Sequence, residues 1–113
     1  MRGIVDEGVP RKIVFLLREH AVDIDPFPKF WKGSRNGRLL KLIGEAGYDW
    51  FLTNDKNMEY QQNLQGIPFS IIVLPTPALD EIEPNLVVIV DAVAGLVAPA
   101  LIRLTFPAGG RER

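Results

Sequence analysis

Residues Trp50-Phe51-Leu52-Thr53-Asn54-Asp55 form a short apolar run that ends in small polar side chains and a carboxylate. An apolar run of this length favours a buried strand over a helix. A run of the same kind, Ile4-Val5-Asp6-Glu7, stands near the start of the chain. Ligands of open α/β sheets bind outside the carboxyl ends of the strands. We therefore expect Asp6 and Asp55 to meet at one sheet edge, although 49 positions separate them.

Further strands and helices are predicted around these two runs. Strands are predicted at 3–6, 21–24, 48–53, 69–74 and 101–106. Helices are predicted at 12–18, in part of 54–64 and over 84–96. One more helix is predicted between a cap at Ser34 or Asn36 and a stop at Gly47. Residues 86–90 alone would also fit a strand, but we favour a buried helix with Pro84 in its first turn. The alternating order predicts a three-layer α/β/α sandwich with a mostly parallel sheet of about five strands.

The composition predicts one domain and excludes several kinds of site. A chain of 113 residues with 47% hydrophobic content suits a single domain over 1–113, with 107–113 as a frayed tail. The absence of cysteine excludes disulfides, thiolate zinc sites and cysteine nucleophiles. His20 is the only histidine, which disfavours a histidine zinc site and a Ser-His-Asp triad.

Charge and hydropathy predict the cellular compartment. The net charge of −1 is not that of a polycation that coats nucleic acid. Asp6 and Glu7 interrupt the start of the chain, so no signal peptide is expected. The uncharged run at 92–102 is too short to cross a bilayer. We expect a soluble cytoplasmic protein without a membrane partner.

One segment of the chain is locally basic. Cationic residues recur there at every third position, at Lys29, Lys32, Arg35, Arg38 and Lys41. Phe30 and Trp31 are interleaved with them, and cations beside aromatic rings can hold a phosphate backbone and stack bases. The alternative is a solvated face with both aromatic side chains in the core.

The two strand-end carboxylates also have two interpretations. Converged oxygen ligands from Asp6 and Asp55 suit a hard cation such as Mg²⁺. Alternatively, Asp6 and Glu7 are surface acids at the entry of a helix, and Asp55 is the N-cap of a polar turn.

Short motifs resemble those of a known family. Asp6-Glu7-Gly8-Val9-Pro10 resembles the "DEN-L-P" opening of compact bacterial and archaeal PIN-like domains. Thr53-Asn54-Asp55-Lys56-Asn57-Met58 is similar to their "T-x-D-x-D-F" turn, and Gly66-Ile67-Pro68 precedes the fourth strand as theirs does. The resemblance implies a PIN-type fold, for which we expect the strand order 2-1-3-4-5. It also implies a relation to VapC-type toxins, which are Mg²⁺- or Mn²⁺-dependent ribonucleases often encoded with an antitoxin.

The resemblance also implies roles for individual residues. Asp6 matches the acid of the first strand, Glu7 its neighbour, and Asp55 the acid after the third strand. Asn36 and Asn57 stand where relatives carry aspartates, and an amide oxygen contributes no charge to a metal site. The implied metal ligands are Asp6 and Asp55. The implied catalytic set adds Asn36 and Glu7, and Lys29, Lys32, Arg35 and Arg38 would bind nucleic acid.

Three functions follow as hypotheses. The first is a metal-dependent endoribonuclease that cleaves single-stranded RNA and serves as the toxin of a toxin–antitoxin pair, with an antitoxin protein as partner. The second is a catalytically inactive PIN-like module that binds a protein or RNA. The third, a receiver-like signalling domain, is disfavoured because no lysine follows Lys56. The late apolar segment predicts a homodimer if it exceeds what the core can bury.

Overall fold

A computed structural model of the protein describes residues 1–60 and 66–107. Five parallel strands form one sheet there: β1 (Gly3–Val5), β2 (Ile24–Asp25), β3 (Trp50–Thr53), β4 (Ser70–Val73) and β5 (Leu101–Arg103). Four α-helices accompany them: α1 (Lys12–Glu19), α2 (Asn36–Glu45), α3 (Leu79–Ile82) and α4 (Leu86–Ala94). Single 3-10 turns lie at Lys29–Trp31, Lys56–Tyr60 and Glu83–Asn85. The strand order β2-β1-β3-β4-β5 and the α/β class are confirmed.

Helices cover both faces of the sheet. Along β1 and β3, alternate side chains point to opposite faces, so Val5 packs on one side and Ile4 on the other. Helices α1, α3 and α4 bury apolar side chains against the first face: Ile13, Val14, Leu17, Ile82, Leu86 and Ile89. The second face is covered by α2 and the first 3-10 turn, through Trp31, Leu39, Leu40 and Ile43. These contacts give the three layers that the sequence predicts.

A glycine fixes the contact between the first two central strands. Gly3 of β1 lies opposite Trp50 of β3 in the parallel register, and the Trp50 side chain is fully buried. A Cβ atom added to Gly3 would lie 2.0 Å from ring atom Cε2 of Trp50. The indole therefore occupies the space that any other residue at position 3 would need.

The bounds of the edge strand β2 differ from the prediction. The second strand is Ile24–Asp25 rather than 21–24. Ala21 has a left-handed φ of 64°, and the backbone N–H of Val22 donates to the carbonyl of Leu17. These residues terminate α1, so the strand begins only where the chain reaches the edge of β1.

Helix boundaries also differ in part. The helix within 84–96 is confirmed as α4, but Pro84 lies in the preceding 3-10 turn instead of the first turn of the helix. The N-cap of α2 is Arg35, without a side-chain hydrogen bond, instead of Ser34 or Asn36. Gly47 has a φ of 81° after the last turn of α2, as the predicted helix stop requires.

Other predictions concern the end of the chain and the membrane. The last strand ends at Arg103 rather than at 106. Residues 61–64 of the predicted short helix and 108–113 of the predicted tail lie outside the described residues. In the described part of the chain, no helix has the length and apolar character needed to span a membrane.

Candidate functional site

The register of β1 and β3 brings the two predicted carboxylates to the same edge. Val5 pairs with Leu52, and the backbone N–H of Asp6 donates to the Leu52 carbonyl at 2.8 Å. Asp6 therefore leaves β1 beside Thr53, the last residue of β3. Because the strands are parallel, Asp55 follows at this same carboxyl edge.

Thr53 joins the two aspartates. Its hydroxyl donates to Oδ2 of Asp6 at 2.6 Å and accepts the backbone N–H of Asp55 at 3.0 Å. The Thr53 side chain is fully buried. The other carboxylate oxygen of Asp6, Oδ1, accepts the backbone N–H of Glu7 at 2.8 Å. Hydrogen bonds therefore hold both carboxylate oxygens of Asp6, whereas Thr53 holds Asp55 through its backbone N–H.

Asp55 also organises the turn that follows. Its Oδ1 accepts the backbone N–H of Asn57 at 2.9 Å, and its carbonyl accepts the N–H of Met58 at 3.0 Å. This is the capping arrangement proposed as the alternative for Asp55. One carboxylate oxygen thus has a structural role, while its charge still acts on Asp6.

The pKa of Asp6 is raised above its usual value of 3.8, chiefly because the carboxyl is partly buried. The hydrogen bonds from Thr53 and the Glu7 N–H lower this pKa, and the charges of Asp55 and Glu7 raise it. The raised pKa means that the ionised form is disfavoured at this edge. A cation between the two aspartates would offset that cost.

A further hydrogen bond supports the loops of the site. The side-chain amide of Asn54 donates to the carbonyl of Gly8 at 2.9 Å, which ties the turn after β3 to the loop after β1. Thr53 and Asn54 stand at the end of the apolar run in the sequence, but that position alone does not predict a supporting role for either. Polar residues between a buried strand and a candidate ligand are the signal that could have identified both.

The basic segment divides into two parts. Lys29 and Lys32 line a cleft of about 200 Å³ together with Asp6 and Glu7. The other two predicted nucleic-acid-binding residues, Arg35 and Arg38, are exposed at the start of α2 and do not line that cleft.

The two aromatic residues of the segment have opposite environments. Trp31 is buried in the core, as the alternative interpretation predicts, but the Phe30 side chain is 85% exposed. Arg11 is a cation that the sequence analysis did not identify, although it lines the same cleft as Lys29 and Lys32.

The acidic side chains at this edge are too few for a metal site made of protein ligands alone. Among residues 1–60 and 66–107, no group of three or more His, Cys, Asp or Glu side chains is arranged to hold an ion. The side chain of Asn36 lies outside the described part of the chain, and Asn57 is exposed. Mg²⁺ is commonly held by one or two carboxylates, with water and substrate phosphates as the remaining ligands. A metal ion at Asp6 and Asp55 would have to bind in that mode, because the described residues offer no closed protein cage.

Replacing Thr53 with Val is expected to destabilise the protein by about 1–3 kcal/mol. The change keeps the shape of the side chain but leaves Oδ2 of Asp6 without its donor and the Asp55 N–H without its acceptor. Urea denaturation measures the difference. Thr53→Ser, which keeps the hydroxyl, is the control and should lose much less. Equal stability of the Val and Ser variants would show that the hydroxyl does not join the two aspartates.

Comparisons with known proteins add no assignment. No family model matches the chain, and neither the curated proteins nor the solved structures include a significant match. The resemblance to PIN-like domains therefore stays a prediction from the motifs, and the geometry at the ends of β1 and β3 is the basis for a functional proposal.

Proposed function

We propose that this protein is a metal-dependent ribonuclease of the PIN-like class, with Asp6 and Asp55 as ligands of Mg²⁺ or Mn²⁺. The observation that carries the proposal is that β1 and β3 end at one sheet edge, where the Thr53 hydroxyl bonds the Asp6 carboxylate and the backbone N–H of Asp55. The pKa of Asp6 is raised chiefly by burial, and the nearby Asp55 charge adds a smaller part to the cost of ionising this carboxyl. A divalent cation would compensate it.

Each group has a defined task in this proposal. A bound divalent ion would supply an activated water and polarise a phosphodiester. Asp6 and Asp55 would hold the ion, and Glu7 and Asn36 would complete the catalytic set as the motif resemblance implies. Lys29 and Lys32 lie in the cleft beside Asp6 and would attract the phosphate backbone. Arg35 and Arg38 would extend this attraction along the start of α2.

Two carboxylates give a weak site in the absence of substrate. We therefore propose that RNA phosphates contribute to cation binding, so that the ion and the RNA bind with mutual support. In the cell, this protein would be the cytoplasmic toxin of a toxin–antitoxin pair. An antitoxin that covers the cleft would prevent phosphate entry and so block cleavage.

Replacing Asp55 with Asn tests the proposal. We expect purified protein to cleave single-stranded RNA with Mn²⁺ but not with excess EDTA, and Asp55→Asn to lower the rate by about a hundredfold or more. Asp80→Asn removes an exposed carboxylate from α3 and is the matched control, which should cleave at the wild-type rate. Cleavage that persists in EDTA, or that Asp55→Asn leaves unchanged, would refute the assignment.

A second candidate is the catalytically inactive module that binds a protein or RNA partner. It is favoured by the absence of a third suitably placed acidic group among the described residues, and by the amide at Asn57. Calorimetry with Mn²⁺ in the presence of a non-cleavable RNA analogue separates the two functions. Heat of metal binding that Asp55→Asn removes supports the ribonuclease, whereas RNA binding without any metal binding supports the inactive module.

A further inference from the structure

The cleft beside Asp6 combines surfaces of two kinds. Its walls are apolar and come from Val5, Val9, Pro26 and Phe27. Its charged residues are Asp6, Glu7, Arg11, Lys29 and Lys32. An apolar wall with a few convergent charged groups is typical of a site for a small organic ligand that carries charge.

The cations of this cleft lack acidic partners. Among the residues that the structure describes, Arg11, Lys29 and Lys32 form no salt bridge within 4.0 Å. Their neighbour Lys12 differs, because it pairs with Glu83 at 3.6 Å. All three side chains are exposed and, in the described part of the chain, are not held in an ion pair, so they are available to contact a polyanion such as a phosphate backbone.

The apolar wall presents an aromatic ring with a rigid support. Phe27 is half-buried, and its ring contacts Trp31 edge to face, with centroids 6.2 Å apart and planes at 80°. Trp31 itself is buried against the second face of the sheet. The Phe27 ring is therefore held in place by the core while one part of it lines the cleft. A fixed aromatic surface beside cations is suited to stacking a nucleobase.

Building on the proposed ribonuclease function, we propose that this cleft binds one unpaired nucleotide of single-stranded RNA. The base packs against Phe27, and the adjoining phosphates contact Arg11, Lys29 and Lys32. A base that is paired within a duplex cannot reach this wall without leaving its stack. The cleft thereby selects single strands and places the adjoining backbone next to Asp6.

Salt dependence of binding tests the role of Arg11. Fluorescence anisotropy with a short labelled oligoribonucleotide in EDTA measures affinity without cleavage. Arg11→Gln should reduce the slope of log affinity against log salt by about 0.7, the value for one phosphate contact on a single strand. Lys12→Gln is the matched control, because its cation is adjacent in sequence but paired with Glu83, and its slope should stay that of the wild type. Equal slopes for the two variants would overturn the phosphate contact.

The role of Phe27 is tested by comparing the binding of single-stranded RNA with that of an abasic chain. Phe27→Leu keeps an apolar side chain but removes the ring, and we expect it to lower affinity for the single strand about tenfold. It should leave binding of an abasic chain of equal length unchanged. Phe15→Leu, at an exposed ring on α1, is the control and should bind like the wild type. If Phe27→Leu and Phe15→Leu bind alike, or if the wild type binds duplex RNA as tightly as the single strand, the nucleotide site is refuted.

These results are independent of the test of catalysis. The assay in EDTA omits the divalent ion, so it measures the contribution of the cleft to RNA binding without the added support of the metal. If Asp55→Asn leaves cleavage unchanged while Phe27→Leu and Arg11→Gln weaken binding as stated, the ribonuclease assignment fails and the nucleotide site stands. The converse result rejects the cleft as the nucleotide site and retains the metal-dependent reaction.

Discussion

Asp6→Asn is expected to lower metal-dependent RNA cleavage by about a thousandfold or more, because it removes one of only two charged ligands proposed for the ion. The asparagine side chain has nearly the same shape and its oxygen can still accept the Thr53 hydroxyl, so only the bond from the exposed Glu7 N–H is lost. The variant should therefore fold. Cleavage is measured with Mn²⁺ on single-stranded RNA, using protein purified free of host ribonuclease. Cleavage by Asp6→Asn at the wild-type rate would show that another site carries the activity.

The folding stability of Asp6→Asn shows whether the variant is intact. Its difference from the stability of the wild type is expected to depend on pH. Burial is the main reason that the pKa of Asp6 is raised, so protonation of this carboxyl favours the folded state. Wild-type stability therefore falls as pH rises from the unfolded-state pKa through the folded-state pKa of Asp6. Asparagine does not titrate. Urea denaturation at pH 4 and pH 7 should show Asp6→Asn gaining stability relative to the wild type as the pH increases; a relative loss would contradict the direction of the shift.

Gly3→Ala is expected to destabilise the fold by about 3 kcal/mol or more, because the new methyl group would overlap the buried Trp50 ring. Overlap with the far end of an exposed chain could be relieved cheaply, but this indole is enclosed by the core. The change is measured by the urea midpoint. Gly37→Ala is the control: no atom lies within 4 Å of the added Cβ, and Gly37 is in α2, where alanine is the better helix former.

A second substitution should restore part of this loss. Trp50→Phe in the Gly3→Ala background replaces the two-ring indole with a smaller single ring, which leaves space for the side chain to move away from the new methyl group. It removes no hydrogen bond, because the indole N–H of Trp50 is buried and has no partner among the described residues. We expect the double variant to be more stable than Gly3→Ala alone. A double variant that loses the sum of both single effects would show that the two positions do not interact.

The sequence predicted those features that arise from short apolar runs in a repeating order. Trp50–Thr53 and Ser70–Val73 are buried throughout, which is why they were recognised as strands without alternation of polar residues. The strand order β2-β1-β3-β4-β5 was expected together with the PIN-type fold and does not follow from these runs alone. The meeting of Asp6 and Asp55 at one edge followed in turn, because parallel strands end on the same side.

Features set by tertiary contacts were less predictable. The boundary of β2 depends on how α1 ends at Ala21, and local pattern did not show that. The burial of Trp31 and the exposure of Phe30 depend on which way the 3-10 turn faces the sheet. Arg11 belongs to the cleft only because the start of α1 approaches the loop after β2 in space.

A crystal soaked in Mn²⁺ tests the central claim most directly, since anomalous scattering locates the ion without reference to activity. The account predicts one ion at the carboxyl edge of β1 and β3, bound by a carboxylate oxygen from Asp6 and one from Asp55. Saturating Mn²⁺ that leaves this edge without an ion, or an ion bound away from both aspartates, would contradict it.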